Sequence, residues 1–363
     1  MSPGRKMPAV AAAPSRSIDA TAPGGNGSFI DRFIRGIASL PFGGWWVYAL
    51  LLIGVGIWAT VVRWATGAAP VGEVDLATLT FAFFLPYYLA MIHYLDKSAE
   101  QALATFSPAL GGSDAKLAFW RRELTSLPPR PVAAAALVGA LFGALLVAGT
   151  PPSIYLLLTS SLLESQLLLG WLIVLSFSAF AIVLYHTWHQ LKAVQGIHAA
   201  AVAIDPFRSA PLFAFSRLTA LTGIAFLLSL LYALTVNGEF TRAAGPAFLQ
   251  YLTSIVPALV CFVLPLMGMH GRLAAAKSEL LAGSDARIQA VKTELYRLVD
   301  RSELSGARDI KDALEGLTLV RDLIVRLPTW PWSPQLLGGF VTALLLPIFI
   351  WFITRALGSV LNV

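Results

Sequence analysis

Charge is what this chain has least of. Only 13% of its 363 residues are Asp, Glu, Lys or Arg, about half the roughly 25% typical of a soluble domain. With 57% hydrophobic residues and a mean hydropathy of +0.71, that shortage excludes an ordinary solvated surface and points to an integral membrane protein. There is a single cysteine, Cys261, so an intramolecular disulfide is excluded. It sits inside an apolar run and reads as a small core residue. A glycine-rich phosphate loop, a nucleophile elbow and zinc-ligand spacing are also missing. Residues 1–27 are rich in Ala, Pro, Ser and Gly and lack the apolar core of a signal peptide. They read as a disordered tail.

What is present is long apolar segments. A membrane crossing needs about 20 mostly apolar residues, and seven stretches qualify: 44–64, 76–95, 132–149, 167–190, 213–236, 248–270 and 335–355. The expected fold is therefore all-α, a seven-span transmembrane helical bundle. An amphipathic helix at 29–40 and the first six spans occupy residues 28–270. A cytoplasmic hairpin follows at 271–329, and a Trp/Pro joint with the seventh span fills 330–363. The run "SIYLLLTSSLL" (153–163) is too short to cross and reads as an interfacial helix in an external loop. The loop 96–131 reads as two short amphipathic helices along the inner leaflet.

Orientation follows from Lys and Arg. With the N-terminus inside, 23 of the 26 basic residues fall on the inner side, leaving only Arg63, Arg242 and Arg355 outside. Such asymmetry defines N-inside, C-outside. It also accounts for the net charge of +6 through anionic lipid, so a nucleic-acid partner is not required. The middle third of every span is free of Asp, Glu, Lys and Arg. That argues against a carboxylate proton relay and, with no lysine in the seventh span, against a retinal protein. A pore lined by hydroxyls or carbonyls stays open.

Four histidines form the candidate cluster. His93 falls at the inner end of the second span, His186 and His189 at that of the fourth, and His270 at that of the sixth. These ends are expected to be helix C-termini, whose partial negative charge favours an imidazole. The alternatives are a pH-sensing cluster and a metal or haem site. His186 and His189 share a helix face, whereas His198, nine residues on, points the other way. Asp96 is the one carboxylate nearby, and the Glu-x-x-His groups of a di-iron bundle are missing. Gly139 and Gly143 form a GxxxG in the third span, which permits close helix packing either between subunits or within the bundle. Trp330 and Trp332, in "LPTWPWSP", are expected to anchor at the inner interface. Pro86, Pro257, Pro265 and Pro347 are expected to kink their spans.

In the hairpin, Leu281, Ile288, Val291, Leu295 and Leu298 form one seam. Ile310, Ala313, Leu317, Val320, Ile324 and Leu327 form the other, with Ser305 as N-cap of the second helix. Ten basic and nine acidic residues share its surface. At "RRELTSLPPRP", "IDPFRSAPLFAFSRLTA" and "LPTWPWSPQLL" the chain resembles a family of bacterial multi-span membrane proteins to which no activity is assigned. The resemblance covers most of residues 80–355. It implies an all-helical fold in a bacterial inner membrane and transfers no functional residue.

Three functions are compatible with this architecture. The first is a non-enzymatic, self-associating sensor, scaffold or assembly subunit that acts on a protein partner through 271–329 and carries no cofactor. The second is a homo-oligomeric channel or carrier. The third is a haem- or metal-bearing protein using the inner histidines. Topology reporters fused to the two ends are expected on opposite faces of the bilayer. Both ends on one face would overturn the seven-span arrangement.

Overall fold

The computed structural model describes residues 27–361 except 68, 75, 112–113, 150–161, 202–206, 208, 237–243 and 302–306. The expected tail, most of the run 153–163, the hairpin turn with Ser305, and part of "IDPFRSAP" lie outside the described residues. Every regular element among the described residues is helical. In order they are α1 (Phe29–Ala38), a 3-10 turn (Pro41–Gly44), α2 (Trp45–Ala65), α3 (Leu76–Leu110), α4 (Asp114–Thr125) and α5 (Pro129–Gly149). Then come α6 (Leu162–Ala199), α7 (Ser209–Val236), α8 (Ala244–Asp300), α9 (Ala307–Val325) and α10 (Pro334–Leu361). Helix is the expected choice, because a single segment in lipid can satisfy its backbone groups only within itself.

Six helices are long and apolar enough to cross a membrane, those built on α2, α3, α5, α6, α7 and α8. In α10 the apolar helical stretch found is Pro334–Ile350, shorter than the other six. The packing has two tiers. α3, α6, α8 and α7 pack around a square, each against its two neighbours; α2 leans on α3, α5 on α6, and α10 on α7. The square supplies most of the core, including Phe106, Phe215, Phe226, Ile197 and Leu266. The outer helices turn large apolar side chains outward: Leu50, Ile53 and Ile57 on α2, Leu141 and Leu145 on α5, Phe349 and Phe352 on α10. Apolar faces of that extent suit lipid rather than water.

Four expectations are corrected. First, the helices do not stop at the histidines: α3 continues 17 residues past His93 to Leu110, and α6 and α8 also run on past theirs. Nothing at these positions breaks a helix, and the sequence beyond them keeps an apolar stripe. Second, the first amphipathic helix expected in 96–131 is the continuation of α3, with Leu103, Phe106 and Leu110 buried against the square; only α4 is separate. Third, the hairpin's first arm is not a new helix but the same 57-residue α8 that contains the sixth apolar segment. Fourth, the second seam is carried by Ile310, Leu314, Leu317, Arg321 and Ile324, while Ala313 and Val320 are exposed. Both sets share residues 310, 317 and 324. The observed one turns Leu314 inward in place of the smaller Ala313, and Arg321 Nε donates to Asp285 Oδ1 at 2.7 Å across the pair. That hydrogen bond raises the Arg321 guanidinium further above its ordinary value.

Gly139 and Gly143 pack α5 onto α6 within the chain. A Cβ at Gly139 would fall on the Phe177 carbonyl oxygen, and one at Gly143 would lie 2.9 Å from Val174 Cα. The obstacles are backbone, which cannot swing away. Gly139→Val is expected to destabilise the purified protein by about 1–3 kcal/mol or more, as overpacking does, seen as a lowered unfolding midpoint in detergent. Gly268→Ala, where nothing lies within 4 Å, is expected to leave the midpoint unchanged.

Candidate functional site

Many polar side chains of the bundle lie at the end that holds α1 and α4, while at the other end the buried Arg63 Nη1 donates to Thr78 Oγ1 at 2.9 Å. The middle of each crossing carries only hydroxyls, and several of these return to their own helix: Thr222 Oγ1 donates to the Leu218 carbonyl at 2.9 Å, and Ser229 Oγ to that of Phe226 at 2.7 Å. A few tie helices together. Tyr87 Oη donates to the Ala225 carbonyl at 2.6 Å, Ser176 Oγ to Phe81 at 3.0 Å and Ser178 Oγ to Ala136 at 3.0 Å. Backbone carbonyls serve as acceptors in place of carboxylates, which keeps charge out of the lipid layer.

At the polar end, Ser28 and Asp31 form a capping box on α1. One Asp31 carboxylate oxygen accepts from the Ser28 amide and from the Leu127 amide, both at 2.9 Å. A buried carboxylate thereby joins α1 to the α4–α5 connector. Beyond it, Asp96 on α3 meets His186 on α6, Oδ1 to Nε2, at 2.8 Å. The His186 side chain is 1% exposed and that of Asp96 16%, so this pair ties two sides of the square together in a largely desolvated setting.

The four candidate histidines separate. His186 has Asp96. His93 Nδ1 bonds Tyr48 Oη at 3.1 Å, and its ring stacks on Trp45 at 4.4 Å. His189 stacks on Tyr185. His270 Nδ1 donates to the Thr329 carbonyl at 3.0 Å, and its ring stacks on Trp330 at 4.0 Å. Among the described residues no group of three His, Cys, Asp or Glu side chains converges as a metal ligand set. His198 packs between Phe106 and Phe215.

The helix-terminal role expected of the histidines is filled by lysine and arginine. Arg272 donates to the carbonyls of His198 and Ala199 at 2.6 and 3.1 Å, closing the end of α6. Lys116 donates to Leu110, the last residue of α3, at 3.1 Å. Lys277 donates to Val325 and Leu327 at 2.7 and 2.9 Å, closing α9. Cations at helix C-termini satisfy orphan carbonyls and oppose the macrodipole. These are residues that the charge count assigned only to lipid.

Trp330 and Trp332, expected as interface anchors, form part of a ring column. His270 stacks on Trp330, Trp330 on Trp332 at 4.6 Å, Trp332 on Phe262 at 4.9 Å, and Phe262 on Phe340 at 3.9 Å. The column joins α8, the connector and α10.

Sequence reasoning missed the Asp31 clasp, although "SFID" carries the capping spacing. It also missed the Tyr48–His93 contact, whose partners stand 45 positions apart with no local signal. Compared with known proteins, the chain matches no family model, no curated protein and no solved structure.

Asp96→Ala and His186→Ala are each expected to destabilise the fold by about 1.5–3 kcal/mol, the range for a hydrogen bond to a charged group. The double variant should cost less than the sum of the two. Thermal unfolding of the four proteins in detergent reads this cycle. Additive costs would mean that the contact contributes nothing.

Proposed function

We propose that the chain is a non-enzymatic integral membrane protein, a self-associating sensor, scaffold or assembly subunit that works through its α8–α9 hairpin. In this reading α10 completes a seven-span bundle with the N-terminus in the cytoplasm of a bacterial cell. The carrying observation is the continuity of α8, a single helix running from a membrane-spanning segment into the hairpin. A continuous helix transmits a tilt or rotation at one end to the other, because its backbone hydrogen bonds resist local bending.

Two further features support this reading. The hairpin has almost no interior of its own: within 274–327, Ile324 is the one buried hydrophobic side chain among the described residues. Leu319, Val320 and Leu323 on α9 and Tyr296 and Val299 on α8 are exposed, Leu319 to 64%. Two helices bury one seam and leave the opposite sides open, and apolar residues there suit a further helix. The ring column and the Lys277 bonds to Val325 and Leu327 clamp the hairpin's return to the bundle, so a load on α9 reaches α8 and α10.

Leu319→Glu with Leu323→Glu is the direct test. The unmodified protein is expected to run in neutral detergent, by size exclusion with light scattering, at more than the mass of one chain. The double variant is expected to run as a single chain with unchanged helical content. A single-chain mass for both, with no partner crosslinked through 307–325 in membranes, would overturn the proposal.

A further inference from the structure

Several inner-end cations are spent on carbonyls or rings: Lys116, Arg272 and Lys277 close helix ends and Lys192 lies over Trp188 at 4.7 Å. Lys97 on α3 and Arg217 on α7 are not. Among the described residues neither has a carboxylate within ion-pair distance. Both line one cavity of about 500 Å³, together with Trp45, Tyr94, Ser98 and Gln101. Lys97 and Ser98 each stand three or four residues from both Tyr94 and Gln101, so a single face of α3 supplies four of the six walls. The Trp45 wall is set in place by its stack on His93, which is held in turn by Tyr48. The cavity thus offers two positive charges, a hydroxyl and an amide as donors, and two aromatic rings.

The surroundings of the mouth indicate what enters it. Gly43, whose added Cβ would lie 3.7 Å from Lys97 Nζ, follows Phe42. Phe42 is 93% exposed and is held outward by a left-handed backbone at φ 58° in the Pro41–Gly44 turn. Trp46 and Leu50 continue this exposed apolar surface along α2. An apolar track therefore begins where the positive charge ends, the arrangement that suits a molecule with an anionic head and a hydrocarbon tail. Basic pockets between membrane helices hold acidic lipid headgroups by this combination.

We propose that the Lys97–Arg217 cavity is a binding site for the phosphate of an anionic phospholipid, with acyl chains lying along Phe42 and the outer face of α2. The phosphate accepts hydrogen bonds from the ammonium, the guanidinium, Ser98 and Gln101, and Tyr94 and Trp45 flank the glycerol at the interface.

The test uses the full chain in neutral detergent, titrated with phosphatidylglycerol, phosphatidylcholine or inorganic phosphate. Bound lipid is read by native mass spectrometry and by the shift of the unfolding midpoint. One phosphatidylglycerol per chain is expected to bind in preference to phosphatidylcholine. Lys97→Gln and Arg217→Gln should each weaken it about fivefold, and the double variant about thirtyfold. Lys192→Gln should leave it unchanged, and Lys97→Arg should retain it, which separates loss of charge from loss of fold. Equal binding of the two lipids, or undiminished binding in the double variant, overturns the site. Saturation by inorganic phosphate that phosphatidylglycerol does not displace overturns the lipid assignment in favour of a soluble anion. Because these readouts do not involve α9, they stand or fall apart from the hairpin's self-association.

Discussion

A helix in hydrocarbon keeps its backbone satisfied at no cost to its neighbours, but its ends and its charged side chains still require partners. The organisation of this protein follows from that requirement. α3, α6, α7 and α8 form a square whose middle holds apolar groups and self-satisfied hydroxyls, and the three outer helices each lean on one side of it. Charged chemistry is displaced from the middle of the square to its ends, with Arg63 on Thr78 at one of them and most of the rest at the other. There the Asp96–His186 pair crosses from α3 to α6, and the Asp31 carboxylate holds α1 against the connector before α5. Both are largely desolvated contacts in which each partner would be costly to leave alone.

The basic side of the molecule consequently has two kinds of cation. Arg272, Lys116 and Lys277 are structural, closing helix ends by donating to carbonyls. Lys97 and Arg217 are turned to a shared cavity instead. A count of positive charge along the chain treats these groups alike, although their roles differ. The first kind satisfies carbonyls at the ends of α3, α6 and α9. The second lines a cavity open to a ligand.

The sixth apolar segment and the charged segment that follows it are one helix, α8. Its apolar segment passes into a charged, amphipathic segment with no proline between Met269 and Asp300 to stop it. The five-ring column then returns the chain to α10, each stacked pair adding of order 0.5–1.5 kcal/mol beyond buried area. Aromatic rings at this joint tolerate the polar–apolar boundary because their faces are apolar and their edges carry hydrogen-bonding groups; Trp330 and His270 both sit there partly exposed.

Much of this was legible before any fold was known. Hydropathy located every long helix, and the heptad of Leu281, Ile288, Val291, Leu295 and Leu298 marked the α8 side of the hairpin. What failed was helix ends and side-chain partners. The histidines at 93, 186 and 270 suggested termini because apolar runs end near them, yet an amphipathic stripe continues a helix as well as an apolar one does. Ala313 and Val320 satisfied a heptad on paper, but the same spacing also fits Leu314 and Arg321, and these face the partner helix. Taken alone, the sequence determined where the chain can enter lipid and where its charge must lie, because solvation acts residue by residue. Only the tertiary structure decided that Asp96 belongs to His186, His270 to Trp330, and Lys97 to Arg217. Such pairings depend on which helix faces meet, and residues 120 positions apart in the sequence leave no trace of it along the chain.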